Sequence, residues 1–105
     1  MEDIKKTIRY SELLEIYQEL LTPTQKDILI DYFHFDLSLS EIAESRNVSR
    51  AAIEDALNKG VKKLEDYESK LCLLNKKEKI LKILDELKNN VSEKKQIEEI
   101  ERLVK

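Results

Sequence analysis

The residues whose types and spacing are suited to chemistry lie between positions 49 and 63. They are a serine, an arginine, an asparagine and three lysines: Ser49, Arg50, Asn58, Lys59, Lys62 and Lys63. Serine and lysine groups contact nucleic-acid phosphates, and arginine contacts a phosphate or the edge of a guanine. We predict that the first four face a DNA groove and that the two last lysines approach phosphates. The competing interpretation is that Ser49 serves only as a helix cap and that the arginine and the three lysines belong to a solvated helix face.

Two short helices joined by a tight turn must position these side chains. Ser38 is suited to cap the first helix, and Glu41 follows at the spacing of a capping box. Asn47 fits a turn because asparagine tolerates a left-handed backbone. Val48 follows as an apolar plug that we expect to anchor the turn. Ser49 is then placed to cap the second helix.

The apolar residues of this segment define one buried face on each helix. They recur at helical spacing: Leu39, Ile42 and Ala43, then Ile53, Ala56 and Leu57. Residues 38–58 therefore predict a helix-turn-helix, in which the second helix is offered to the major groove of DNA.

The rest of the chain also predicts helices. The apolar stripe of residues 3–21 indicates a first helix, and Thr22, Pro23 and Gln25 are typical of the start of a second helix that runs to about His34. The helix beginning at Arg50 has no obvious stop before position 74. It contains Gly60, which costs a helix only about 1 kcal/mol and is small enough for close packing.

The last third of the chain is more highly charged. Asn75 and Glu78 suggest one more capping box, and Ser92 suggests the cap of a last helix. We therefore predict an all-α protein, with a helix-turn-helix domain over residues 1–74 and a charged helical extension over residues 75–105.

The extension carries an apolar stripe that allows two interpretations. Its members are Ile80, Ile83, Leu84, Leu87, Ile97, Ile100 and Val104. They either pack back within the chain or form a dimer surface, since large apolar faces are rarely left bare. Helix-turn-helix proteins commonly pair to reach two half-sites. We expect a homodimer, with the extension as its dimerisation element.

Composition limits the other classes of function. The formal net charge is −3, so bulk attraction to phosphates is not expected. Positive charge is instead concentrated at residues 49–63. Cys72 is the single cysteine and His34 the single histidine, and neither alone makes a metal or nucleophilic site. We expect no enzyme, no cofactor and no bound metal. Without a targeting segment or an apolar span of about 18 residues, we expect a cytoplasmic protein.

Several blocks of the sequence resemble a known family. They are Ser11–Thr22 with Gln25-Lys26, Asp36–Glu44, Val48-Ser49-Arg50, Leu64–Glu68 and Lys70-Leu71. In this order they resemble the small bacterial YlxM family over about residues 5–74. The resemblance implies a fold similar to the fourth region of bacterial sigma factors, with added helices. It also implies DNA binding and an association with the signal recognition particle pathway.

The predicted recognition helix departs from the family pattern. Ala51 stands where we expect glutamine, Glu54 where we expect an aromatic residue, and Ala56 where we expect asparagine. Base readout uses long donors and acceptors near the helix start, whereas Glu54 and Asp55 repel phosphates. Two hypotheses follow. One is a DNA-binding regulatory protein, and the other is an accessory protein that contacts signal recognition particle protein or RNA through the same scaffold.

Overall fold

Helices dominate the computed structural model, which describes residues 4–89 and 93–105. Six α-helices and one 3-10 turn lie in those ranges, with no strand among them: α1 (Ile4–Tyr17), the 3-10 turn (Gln18–Leu20), α2 (Pro23–Phe33), α3 (Leu39–Arg46), α4 (Arg50–Leu71), α5 (Leu73–Lys88) and α6 (Lys94–Val104). The all-α prediction is confirmed. The chain divides into two compact units, one reaching to Leu71 and one beginning at Cys72.

Both predicted capping boxes at the front of the chain are present. The Gln25 N–H donates to Thr22 Oγ1 at 3.2 Å, and the Thr22 N–H donates to Gln25 Oε1 at 3.3 Å. The Glu41 N–H donates to Ser38 Oγ at 3.0 Å, and the Ser38 N–H donates to Glu41 Oε1 at 2.9 Å. Each box satisfies backbone donors that a helix start leaves unpaired.

The turn between α3 and α4 forms as the sequence predicts, with one exception. Asn47 adopts the left-handed conformation, with φ 57° and ψ 44°. The Val48 N–H donates to Ala43 O at 3.0 Å and the Asn47 N–H to Glu44 O at 3.2 Å, which is the Schellman pattern. The Ala52 N–H donates to Ser49 Oγ at 3.0 Å, so Ser49 caps the start of α4. Val48 is 48% exposed, so the prediction that its side chain plugs the turn is wrong. Its backbone N–H holds the turn instead.

The core of the first unit forms where α1, α2 and α3 all pack on α4. Its innermost side chains are Leu13, Leu14, Tyr17, Leu29, Ile42, Ile53 and Leu64. Gly60 lies where α4 crosses α2, and a Cβ placed there would be 2.6 Å from Leu29 Cδ1. Gly60 therefore permits the close approach of the two helices.

A buried glutamate on α4 joins that helix to α1. The hydroxyl of Tyr17 on α1 donates to Glu68 Oε1 on α4 at 2.6 Å, and Glu68 is 8% exposed. Nearby but more exposed, the Arg9 guanidinium donates to Glu65 Oε1 at 2.7 Å, which raises the pKa of Arg9 above its ordinary value. These contacts fix the register of α1 against α4.

The long helix ends earlier than the apolar pattern predicts. Helix α4 stops at Leu71, and Cys72 takes a left-handed conformation with φ 55° and ψ 29°. Helix α5 begins at once at Leu73, with the Lys76 N–H donating to Cys72 O at 2.9 Å. The predicted cap at Asn75 is wrong because Asn75 lies inside α5.

The second unit is a pair of helices with part of its apolar surface exposed. Leu84 on α5 and Ile97 on α6 are buried, and Lys88 Nζ donates to Glu101 Oε1 at 3.3 Å. Glu93 occupies the N-cap of α6. Ser92, for which we predict a cap, lies outside the described residues.

Candidate nucleic-acid interface

The first half of α4 presents one face to the core and another away from it. Ile53, Leu57 and Gly60 are buried. Of the six predicted contact residues, five are exposed and Lys63 is half-buried. Because the opposite face of α4 packs on three other helices, the backbone spacing of its outer residues is fixed. Positions 50–58 are thus helical and their outer face is accessible, as a recognition helix requires.

Ion pairs within the first half of the helix partly neutralise two of its cations. Arg50 Nη1 lies 3.7 Å from Glu54 Oε2, and Lys59 Nζ lies 2.9 Å from Asp55 Oδ2. Both pairs join residues four apart and are exposed, so each contributes only about 0.3–0.5 kcal/mol. A DNA phosphate can compete for either cation, but the two carboxylates reduce the local field.

Three of the predicted contact residues cluster near the middle of α4. Lys59, Lys62 and Lys63 line an open groove of about 690 Å³, together with Gln25 from the start of α2 and two acidic residues of α4, Glu65 and Asp66. The structure therefore brings three of the predicted contact residues to one groove. Ser49 and Arg50 lie at the helix start and Asn58 on its exposed side, and none of the three lines it.

Gln25 is the link between this groove and α2. Its Oε1 accepts a hydrogen bond from Lys63 Nζ at 3.2 Å as well as one from the Thr22 N–H at 3.3 Å.

The i,i+4 spacing of Asp55 and Lys59 was visible in the sequence. The contact of Lys63 with Gln25 spans 38 residues, and no local pattern indicates it.

Other kinds of site receive no support from the described residues. No group of three or more His, Cys, Asp or Glu side chains stands within metal-binding reach of one another in residues 4–89 and 93–105. His34 Nε2 instead lies 3.4 Å from Ser11 O. In the same part of the chain, every helix is too short or too polar to cross a membrane.

The capped helix pair, its left-handed Asn47 and its exposed second helix define the chain as a helix-turn-helix protein. The chain belongs to the UPF0122 family, described as "Putative helix-turn-helix protein, YlxM / p13 like", whose sequence profile matches residues 4–104. The resemblance to the YlxM family is therefore confirmed.

Relatives in several bacteria match most of the chain. A UPF0122 protein of Fusobacterium nucleatum is 47% identical over 93 residues, covering 89% of each chain. One from Geobacillus kaustophilus is 43% identical over 89 residues, covering 85% of this chain and 81% of its own. One from Oceanobacillus iheyensis is 41% identical over 100 residues, covering 95% of each.

Proposed function

We propose that the chain is a cytoplasmic, DNA-binding regulatory protein that binds through its helix-turn-helix. The observation that carries this proposal is the row of Lys59, Lys62 and Lys63 along one groove beside an accessible α4. Lysines so placed can neutralise successive phosphates of a DNA backbone, and this neutralisation supplies most of non-specific affinity.

Within this proposal the six candidate residues divide into two groups. Ser49, Arg50, Asn58 and Lys59 face the DNA groove from the exposed side of α4. Lys62 and Lys63 contact phosphates, and Gln25 holds Lys63 at 3.2 Å. Ala51 leaves room for the helix to approach the duplex but offers no donor for base readout.

We further propose that the protein acts in the signal recognition particle pathway and as a homodimer. The first part rests on the likeness to the YlxM family. The second rests on the exposed apolar residues of α5 and α6, such as Ile83 and Leu103, which are 56% and 80% exposed. A dimer would offer two recognition helices to half-sites about 34 Å apart. The likeness of the fold to sigma region four stays a prediction.

Fluorescence anisotropy with a pool of random-sequence duplexes tests DNA binding. The affinity should fall steeply with salt, and Lys62→Gln or Lys63→Gln should each reduce the slope of log K against log salt by about 0.9. Lys70→Gln is the matched control, because Lys70 lies on the same helix, pairs with Asp66 and does not line the groove. Absence of binding at low salt to any duplex would refute the proposal.

A second candidate function is favoured by the two acidic residues in the second turn of α4. Glu54 and Asp55 pair with the very cations that DNA would need. In this alternative, the scaffold contacts the protein or the RNA of the signal recognition particle instead of DNA. A pull-down with the purified particle GTPase and with its RNA, in the absence of DNA, distinguishes the two. Failure to retain either partner would eliminate the alternative.

A further inference from the structure

A second groove, formed by α1, the end of α2, the segment joining α2 to α3 and the start of α3, is open and partly apolar. It has a volume of about 480 Å³, and its lining includes Ile4, Ile8, Leu37, Asp36 and Glu41. Ile4 and Ile8 are one helical turn apart and are 72% and 54% exposed. We name this surface the acidic groove. Exposed isoleucines in a concave surface are typical of a docking site.

The charged side chains of the acidic groove are all carboxylates. A smaller depression of about 260 Å³ shares Thr7 and Ile8 with it and is also lined by Glu12 and Glu15 of α1. Hydrogen bonds from Ser38, the backbone N–H first among them, lower the pKa of Glu41, so this carboxylate is ionised at neutral pH. The described lining of the two depressions holds no lysine or arginine. An occupant must therefore combine apolar and positive groups.

Helix α5 carries a surface of that kind. Ile80, Ile83 and Leu87 lie on one side of it at spacings of three and four residues, and they are 42%, 56% and 45% exposed. Lys76 and Lys79 are exposed on the same side of the helix, because residues three, four and seven apart share a helical face. We name these five residues the α5 strip.

We propose that the acidic groove of one copy of the chain receives the α5 strip of a second copy. The apolar residues of the strip would cover Ile4 and Ile8, and Lys76 and Lys79 would meet the surrounding carboxylates. This inference rests on the proposed homodimer and states what holds it together. In a two-fold dimer the contact occurs twice, because each copy supplies one groove and one strip.

Sedimentation velocity over a range of concentrations, with the full chain, measures the dimer dissociation constant. Ile8→Ser in the groove and Ile83→Ser in the strip should each raise it at least about tenfold, since each substitution weakens two contacts. Leu20→Ser is the matched control and should leave the constant unchanged, because Leu20 is 51% exposed in the 3-10 turn, outside both the groove and the strip. Both test residues are more than half exposed, and circular dichroism verifies that the helices are retained.

A charge exchange tests the pairing of the two surfaces directly. Glu15→Lys, in the depression that adjoins the acidic groove, and Lys79→Glu, in the strip, should each weaken the dimer. The double variant should recover affinity because opposite charges again face each other. Glu44→Lys, an exposed carboxylate of α3 outside the groove, should have no effect. A wild-type chain that stays monomeric refutes the homodimer and this inference with it. A dimer whose dissociation constant is unmoved by Ile8→Ser and Ile83→Ser overturns the inference alone.

Discussion

Gly60→Ala is the substitution whose effect follows most directly from the packing of α4 on α2. The added Cβ would lie 2.6 Å from Leu29 Cδ1 and 3.0 Å from Cδ2, whereas carbon atoms rest at about 3.5–4.0 Å. The end of a leucine moves easily in open space, but Leu29 is 0% exposed. Relief of the overlap must therefore displace other core side chains.

Two opposing terms set the size of this effect. Alanine is favoured over glycine inside a helix by about 1 kcal/mol, whereas overpacking a core costs about 1–3 kcal/mol. The overlap of about 1 Å against ordinary contact distances places the cost in the upper part of that range. We expect Gly60→Ala to lower the free energy of unfolding by about 1–2 kcal/mol.

Urea unfolding followed by tyrosine fluorescence is the suitable assay. The chain has four tyrosines and no tryptophan, and Tyr10, Tyr17, Tyr32 and Tyr67 all belong to the first unit. The signal therefore reports the unit that contains Gly60. Asn58→Ala, on the exposed side of the same helix, is the control and should stabilise by a few tenths of a kcal/mol, roughly its gain in helix propensity.

A double variant separates the overlap from helix propensity. Leu29→Ala alone should cost about 2–5 kcal/mol, but it removes the atoms that the new Cβ meets. In that background Gly60→Ala should become stabilising by about 1 kcal/mol. If Gly60→Ala is as stable as the wild type while Leu29 is present, the close approach of α2 and α4 does not depend on glycine and the reasoning fails.

Three further predictions concern the helix ends and the core. Ser38→Ala should reduce stability at neutral pH. The backbone N–H of Ser38, and after it the Ser38 hydroxyl, lower the pKa of Glu41 below its ordinary value of 4.5, so the wild type should lose stability as the pH falls through the lowered pKa. The variant keeps the backbone hydrogen bond and loses only the contribution of the hydroxyl, so its loss should be smaller but still present in urea titrations across about pH 2–6. Tyr17→Phe removes the hydrogen bond to the buried Glu68 and should cost about 1.5–3 kcal/mol in urea. Asn47→Gly should leave the melting temperature unchanged or higher, and Asn47→Ala should lower it, because the turn requires a left-handed residue.

Local interactions account for what the sequence predicts well. The capping boxes at Thr22 and Ser38 and the left-handed Asn47 involve residues no more than five apart, so their types and spacing suffice. The buried faces of α3 and α4 follow from periodicity alone. Gly60 is a borderline case, since its small size suggested close packing but only the fold identifies Leu29 as its neighbour.

Two predictions, the length of α4 and the burial of Val48, are wrong for the same reason. In both places the backbone conformation decides the structure, and a pattern of apolar residues does not reveal it. The apolar stripe runs without interruption across Cys72, from Leu71 to Leu74. Periodicity alone therefore does not reveal that the helix breaks at Cys72, where a residue other than glycine has a positive φ. Val48 is apolar, but backbone hydrogen bonds of the turn decide its position rather than burial.

The pairing of Lys63 with Gln25 depends on how α2 crosses α4. The six contact residues remain a prediction, because their assignment depends on a ligand.

Gln25 Oε1 accepts hydrogen bonds from both Lys63 and Thr22, so the N-terminal cap of α2 should respond when a ligand binds in the groove lined by the three lysines of α4. An anion that draws the Lys63 ammonium away leaves Gln25 Oε1 with the Thr22 N–H as its remaining donor of the two. The chemical shift and the solvent-exchange rate of the Thr22 amide should then change without any contact between the anion and Thr22. A single backbone resonance would thus follow titration of the groove in real time.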